Sequence, residues 1–125
     1  MSEIQMTNLD IQCADLGRKI AGIKNMDEKT INAALSVLEE QGPYAMFLYV
    51  RARHKEIAPK IEAECAKRLK GTFQNRIPDS QDMLKVVQAL AGNLDDLLFA
   101  RDLLRTALSY ARYHLKAKGS GEEAS

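Results

Sequence analysis

The sequence predicts an all-α protein, built as a compact single-domain bundle of five to six helices over residues 1–118 and followed by a disordered polar tail at 119–125. The chain of 125 residues is long enough for one modest hydrophobic core. Its residues are 46% hydrophobic but only 6% aromatic, so leucine, isoleucine, alanine and methionine must fill that core. Apolar residues also recur at helical steps of three and four along most of the chain.

The first helix is predicted to begin near Thr7. The segment TNLD at 7–10 has the form of a capping box, with Asp10 in the place of the usual glutamate or glutamine. A single apolar stripe then follows at alternating steps of four and three. Its members are Leu9, Cys13, Leu16, Ile20 and Ile23.

The segment QGP at 41–43 separates a second predicted helix, from about Asp27 to Gln41, from a third. Glycine suits the end of one helix, and proline suits the first turn of the next. The third helix, PYAMFLYVRAR at 43–53, has almost no polar face, which predicts a central position in the bundle. A short strand is the alternative for this segment, but the sequence shows no partner strand. The second helix is expected to bury Ile31, Ala34, Leu35 and Leu38.

A fourth helix follows Pro59, which marks either its start or a kink. Gly71 is expected to end it. Its apolar residues recur at four-residue spacing and are Ile61, Cys65 and Leu69.

The segment TFQNRIPDS at 72–80 predicts a loop whose last residues, Asp79 or Ser80, cap the next helix. A short helix then buries an apolar face, and the last helix runs from Asn93 or Leu94 to Lys118. The buried residues of the short helix are expected to be Met83, Val86, Val87 and Leu90.

The last helix carries a row of cations beside its core stripe. The core stripe is Leu97, Leu104, Leu108, Ala111 and Leu115. The cations, here called the basic ridge, fall within an arc of roughly 60° and extend over about 22 Å of helix. The planar guanidinium groups of the arginines and the flexible lysine side chain suit phosphate binding. The alternative is that these cations form an ordinary solvated face of the helix. The basic ridge consists of Arg101, Arg105, Arg112 and Lys116.

A second group of cations lies between residues 51 and 70. Seven lysines and arginines occur there, interrupted by three glutamates. The group favours a polyanionic partner, but the glutamates lower its local charge. The net charge of +1 itself gives no argument for a polyanionic partner, so any such function depends on local clustering.

The residue pattern of catalysis or metal binding is missing from the sequence. His54 and His114 have no carboxylate or cysteine at a metal-ligand spacing, and Cys13 and Cys65 lie far apart. We therefore predict a protein that is not an enzyme and needs no metal or cofactor. No apolar stretch is long enough to cross a bilayer, and the first ten residues lack the pattern of a signal peptide. We expect a cytoplasmic protein without a membrane partner.

Two stretches carry a resemblance to a known family. LEEQGPYAMFLYVRARHKE at 38–56 has a glycine-containing turn before an apolar helix, and LLFARDLLRTALSYARYHLKAKG at 97–119 is a long amphipathic helix in which aromatic residues precede basic ones. In these features the chain resembles the small helical subunit of CRISPR effector complexes, most closely that of the type III-B (Cmr module) complexes. The related small subunits of type III-A and type I complexes are alternatives within the same class.

The resemblance implies an all-α, non-catalytic subunit in antiviral defence. Several copies would stack in a filament, contact other effector-complex subunits, and lie beside the backbones of the guide RNA and target RNA. The cations of the two matching stretches, namely the basic ridge with Arg51 and Arg53, would bind phosphate.

Two other functions remain open at this point. One is a helical protein–protein adaptor without nucleic-acid binding, in which the apolar segment 44–50 forms part of an interface. The other is a helix-turn-helix DNA-binding regulator, for which the helices joined at QGP come nearest. Charge reversal at Arg105 and Arg112 discriminates RNA binding from the adaptor function.

Overall fold

Six helices make up the described part of the chain. The computed structural model describes residues 2–73 and 82–124, with side chains for residues 9–73 and 82–118. No strand occurs within these ranges, so the predicted all-α bundle of five to six helices is confirmed. The helices are α1 (Ser2–Ala21), α2 (Glu28–Gln41), α3 (Pro43–Arg53), α4 (Ala58–Phe73), α5 (Met83–Leu90) and α6 (Leu94–Ala124).

Helix α3 lies at the centre of the packing, as its apolar sequence predicts. It contacts α2, α4, α5 and α6. Met46, Phe47 and Val50 are buried almost completely, whereas Tyr44 and Leu48 remain 38% and 45% exposed. The segment is therefore helical and central, but one of its sides reaches the surface.

Helices α2 and α3 meet at the predicted turn. The Asp27 carboxylate caps α2 by accepting a hydrogen bond of 2.7 Å from the Thr30 amide. Gly42 ends α2 with a φ of 96°, a left-handed conformation that favours glycine, and Pro43 opens α3. The four residues predicted to be buried in α2 are all buried.

The closest helix pair is α1 and α6, which meet through small residues. Gly17 is buried where α1 crosses α6. A Cβ atom at position 17 would lie 2.6 Å from the Ala107 carbonyl oxygen and 2.9 Å from the Ala111 amide nitrogen. Because these are backbone atoms, only glycine allows this approach. Cys13, one turn earlier, directs its Sγ to the Leu103 carbonyl oxygen at 3.9 Å.

Several predicted helix ends differ from the structure. Helix α1 begins at Ser2, before the predicted capping box, and the carboxylate of Asp10 instead accepts a hydrogen bond from Tyr110 on α6. Helix α4 continues past Gly71 to Phe73, because Gly71 does not adopt the positive φ with which a glycine ends a helix. Its four-residue apolar row is buried as predicted, and Pro59 lies in its first turn.

The cap of α5 is Asp82, whose carboxylate accepts a hydrogen bond of 3.1 Å from the Leu84 amide. The predicted caps Asp79 and Ser80 lie outside the described residues. The four residues predicted to be buried in α5 are buried. Helix α6 is assigned from Leu94 to Ala124, and its side chains from 119 onward lie outside the described set. The disordered tail at 119–125 stays a prediction.

Substitution of Gly17 tests the close packing of α1 and α6. We expect Gly17→Ala to lower the free energy of unfolding by about 1–3 kcal/mol, because the new methyl group forces the helices apart. Gly71→Ala is the matched control, since no atom lies within 4 Å of its added Cβ. This control should raise stability by up to about 1 kcal/mol, because alanine suits a helix better. Urea unfolding followed by circular dichroism measures the free energy of unfolding of both variants. Equal changes in the two variants would contradict the close approach of the α1 and α6 backbones at Gly17.

Candidate nucleic-acid interface

The four cations of the basic ridge differ in what they contact. Arg105 and Lys116 are exposed, and Arg101 is half-buried. Among the described residues, no hydrogen bond or ion pair holds Arg101 or Lys116. Arg105 forms an exposed ion pair of 3.2 Å with Asp102, which lies three residues earlier on the helix. Exposed pairs of this kind contribute little and exchange readily with another anion.

Arg112 is the exception within the basic ridge, because it lies against α2. Its Nη1 donates a hydrogen bond of 3.4 Å to the Asn32 side chain, and its guanidinium carbon lies 5.6 Å from the centre of the Tyr113 ring. Its Nε is buried and finds no acceptor among the described residues. Arg112 therefore belongs partly to the packing of α2 on α6. The cations of the basic ridge that no other helix engages among the described residues are Arg101, Arg105 and Lys116.

The guanidinium of Arg51 joins three parts of the fold. Its Nε and Nη2 donate hydrogen bonds of 2.8 and 2.6 Å to the two carboxylate oxygens of Glu62 on α4. The same Nη2 donates to the carboxylate of Asp82, the cap of α5, at 2.7 Å. These charge-assisted bonds raise the pKa of Arg51 and lower that of Asp82. The binding of nucleic acid by Arg51 stays a prediction. Three of its five N–H donors are used inside the protein, and we do not include it in the interface.

Arg53, by contrast, is exposed at the end of α3. It lines an open groove of about 650 Å³ together with Tyr49 and His54. The rings of Tyr49 and His54 meet edge to face, with centroids 5.8 Å apart. Since no described residue forms an ion pair or hydrogen bond with Arg53, its charge faces solvent.

The two tyrosines late in α6 have different environments. Tyr110 donates a hydrogen bond of 2.7 Å to Asp10, and this bond to the neutral phenol raises the pKa of Tyr110. Tyr113 is 57% exposed and lies next to Arg112. Tyr110 therefore packs on α1, and Tyr113 is the aromatic side chain available beside the basic ridge.

The cysteines and histidines do not form a chemical centre. Burial raises the pKa of Cys65 to about 12, so this thiol stays protonated, and desolvation also raises the pKa of Cys13. No group of three or more metal-ligating side chains occurs among the described residues. Within the same residues, no helix combines the length and apolar character needed to cross a membrane.

No protein-family model, curated protein or solved structure matches this chain.

Sequence reasoning did not find the partners of Arg51 and Arg112. Glu62 and Asp82 lie 11 and 31 positions from Arg51, and Asn32 lies 80 positions from Arg112. No periodic pattern connects such positions. A single signal was present for Arg105, because Asp102 lies at the three-residue spacing that brings charges together on a helix.

Removal of Arg51 should destabilise the fold. Arg51→Ala leaves Glu62, which is only 7% exposed, without its donor. We expect a loss of about 2 kcal/mol, less than for a fully buried pair because the Arg51 side chain is 35% exposed. Arg53→Ala is the matched control and should change stability by less than about 0.5 kcal/mol. Similar urea midpoints for the two variants would contradict the role of the network.

Stability should also fall in acid. The pKa of Asp27 is lowered chiefly by its hydrogen bond with Thr30, and that of Asp82 by Arg51. Carboxylates with lowered folded-state pKa values contribute stability above their unfolded pKa, about 3.9, and lose it as the pH falls through the folded value. We expect the melting temperature to be nearly constant from about pH 7 to 5 and to drop below about pH 4. Asp27→Asn keeps the cap but cannot titrate, so its acid-induced drop should be smaller.

Proposed function

We propose that this chain is a non-catalytic subunit that binds the backbone of RNA through the basic ridge of α6. The observation that carries the proposal is a row of three cations on one long helix. Arg105 and Lys116 are exposed, and Arg101, although half-buried, has no internal partner among the described residues. Asp102, their one carboxylate partner among the described residues, lies in an exposed pair that phosphate can replace. Contacts of this kind recognise charge and spacing and are independent of base sequence.

The assembly that we propose is a CRISPR effector complex of the type III-B class, in which several copies stack along the guide RNA and target RNA. The resemblance of residues 38–56 and 97–119 supports this assignment. These stretches include all of α3 and most of α6, and those two helices touch in the bundle. A near-neutral subunit with few cations binds weakly alone, and repetition along one RNA raises its affinity.

An exposed apolar surface favours a second candidate, a helical protein–protein adaptor. Leu94 and Leu98 are 67% and 44% exposed, and their positions place them on the same side of α6 as the basic ridge. On α3, Tyr44 and Leu48 are also exposed. In a multisubunit complex, these apolar residues would contact protein and the basic ridge would contact RNA. In an adaptor, the apolar residues and the basic ridge would both contact protein.

Charge reversal on the basic ridge separates these two functions. Arg101→Glu/Arg105→Glu should weaken binding of a fluorescent single-stranded RNA by about tenfold or more, measured by anisotropy over a salt series. Both positions avoid the α2 seam that Arg112 occupies, so the fold should remain intact. Lys85→Glu/Lys118→Glu makes the same change of charge elsewhere and should bind as wild type does. RNA binding that is unchanged in the first variant would contradict the assigned interface.

The assembly is tested by purification of the tagged chain from its host. Native mass spectrometry should show a large particle with several copies of this chain and RNA of uniform length, and the ratio of absorbance at 260 and 280 nm should be high. Recovery as an RNA-free complex with one protein partner would overturn the effector assignment and favour the adaptor.

A further inference from the structure

Three open grooves follow one another across α3 and α4. The first is the groove of about 650 Å³ at Arg53, the second has about 860 Å³ and lies along α4, and the third has about 370 Å³ and lies between α1 and α4. Lys55 lines the first and the second, and Lys67 lines the second and the third. The grooves therefore connect, and we call their combined surface the lysine track.

The lysine track has an excess of positive charge. Among the described residues that line it, eight are lysine or arginine and four are carboxylates. Internal donors engage the carboxylates: Arg51 holds both oxygens of Glu62, and the Thr30 amide holds Asp27. Glu56 accepts a hydrogen bond of 3.3 Å from Asn25, and Glu64 lies 3.7 Å from Lys67.

Several cations of the lysine track have no such internal partner. No described residue forms a hydrogen bond or an ion pair with Lys55 or Lys60, and both are exposed. Lys67 has only its long pair with Glu64, and its side chain is 75% exposed. Lys19 pairs with Asp15, and Arg51 pairs with Asp82 as well as with Glu62. The positive charge available to a ligand along the second and third grooves is therefore that of Lys55, Lys60 and Lys67, and around these three lysines the potential favours a polyanion.

The shape of α4 suits an extended chain. Lys60 and Lys67 lie on one face, about 10 Å apart along the helix axis. The short side chains of Ala63 and Ala66 lie between and beside them and line the second groove. Because Ala63 and Ala66 are short, a sugar-phosphate backbone can approach this side of the helix while the lysines reach its phosphates.

The first groove adds aromatic surface at one end of the lysine track. Tyr49 and His54 contribute two rings at an angle of 63°, beside the exposed cation of Arg53. Aromatic rings next to a cationic groove stack unpaired bases without regard to base identity. A base held in a duplex does not expose its face, so this end selects for single strands.

We propose that the lysine track binds the backbone of single-stranded RNA and that the Tyr49–His54 ring pair stacks one unpaired base. The inference rests on the proposed function, because it assigns a second RNA contact that lies outside the basic ridge of α6.

The test compares two charge-reversed variants of the full chain with a fluorescent 20-nucleotide oligouridine. Lys60→Glu/Lys67→Glu should weaken binding by about tenfold or more, and the control Lys85→Glu/Lys118→Glu should not. The neutral pair Lys60→Gln/Lys67→Gln should reduce the slope of log affinity against log salt by about 1.4, since each phosphate contact to a single strand contributes about 0.7. Circular dichroism melts verify that each variant is folded.

Photocrosslinking locates the base. Oligouridine that contains 4-thiouridine should crosslink at Tyr49 or His54, and annealing it to its complement should suppress that crosslink. If Lys60→Glu/Lys67→Glu binds the RNA as the control does and no crosslink forms at Tyr49 or His54, the proposal that the lysine track binds RNA is wrong. The proposed function would then still stand, provided that Arg101→Glu/Arg105→Glu loses RNA binding. Unchanged binding in both variants would overturn the two proposals together.

Discussion

The contact of α1 with α6 at Gly17 determines how the long helix presents its charges. Because a Cβ atom at Gly17 would lie 2.6 Å from a carbonyl oxygen, the two backbones are closer than side chains ordinarily permit. This close contact turns Ala107 and Ala111 inward and fixes the rotation of α6 about its axis. The outward direction of Arg101 and Arg105 is thus a consequence of helix packing.

The network of Arg51, Glu62 and Asp82 determines in the same way how the lysine track presents its charges. It connects α3, α4 and the first turn of α5 through one guanidinium. A buried glutamate is costly without a donor, so Arg51 is committed to Glu62 and loses its availability to a ligand. In return, Arg51 offsets part of the negative charge of Glu62 and Asp82 next to the surface where Lys55 and Lys67 face solvent. Arg51, which was predicted to bind RNA, therefore supports the lysine track, the surface that we propose for RNA binding.

Local patterns predicted the helices, and long-range packing decided the role of each cation. The cap at Asp27, the turn at Gly42 and Pro43, and the buried row of α4 all depend on residues within a few positions of one another. Helical periodicity grouped the four cations of the basic ridge correctly, but it contains no information about α2. The hydrogen bond to Asn32 on α2 distinguishes the environment of Arg112 from that of Arg101. The start of α1 was missed because its capping pattern at Asp10 belongs to a helix that had already begun.

The separation of charge over two sets of helices would allow a chain of net charge +1 to bind a polyanion, as we propose. Long-range attraction depends on total charge and is weak here, whereas phosphate binding within a Debye length depends on the local arrangement. On each of the two surfaces only a few cations lack an internal partner, so each surface alone would bind weakly. If one RNA contacts both surfaces, the second contact becomes intramolecular and the affinities reinforce each other. Occupancy should then depend steeply on RNA length, because a short oligonucleotide reaches only one of the surfaces.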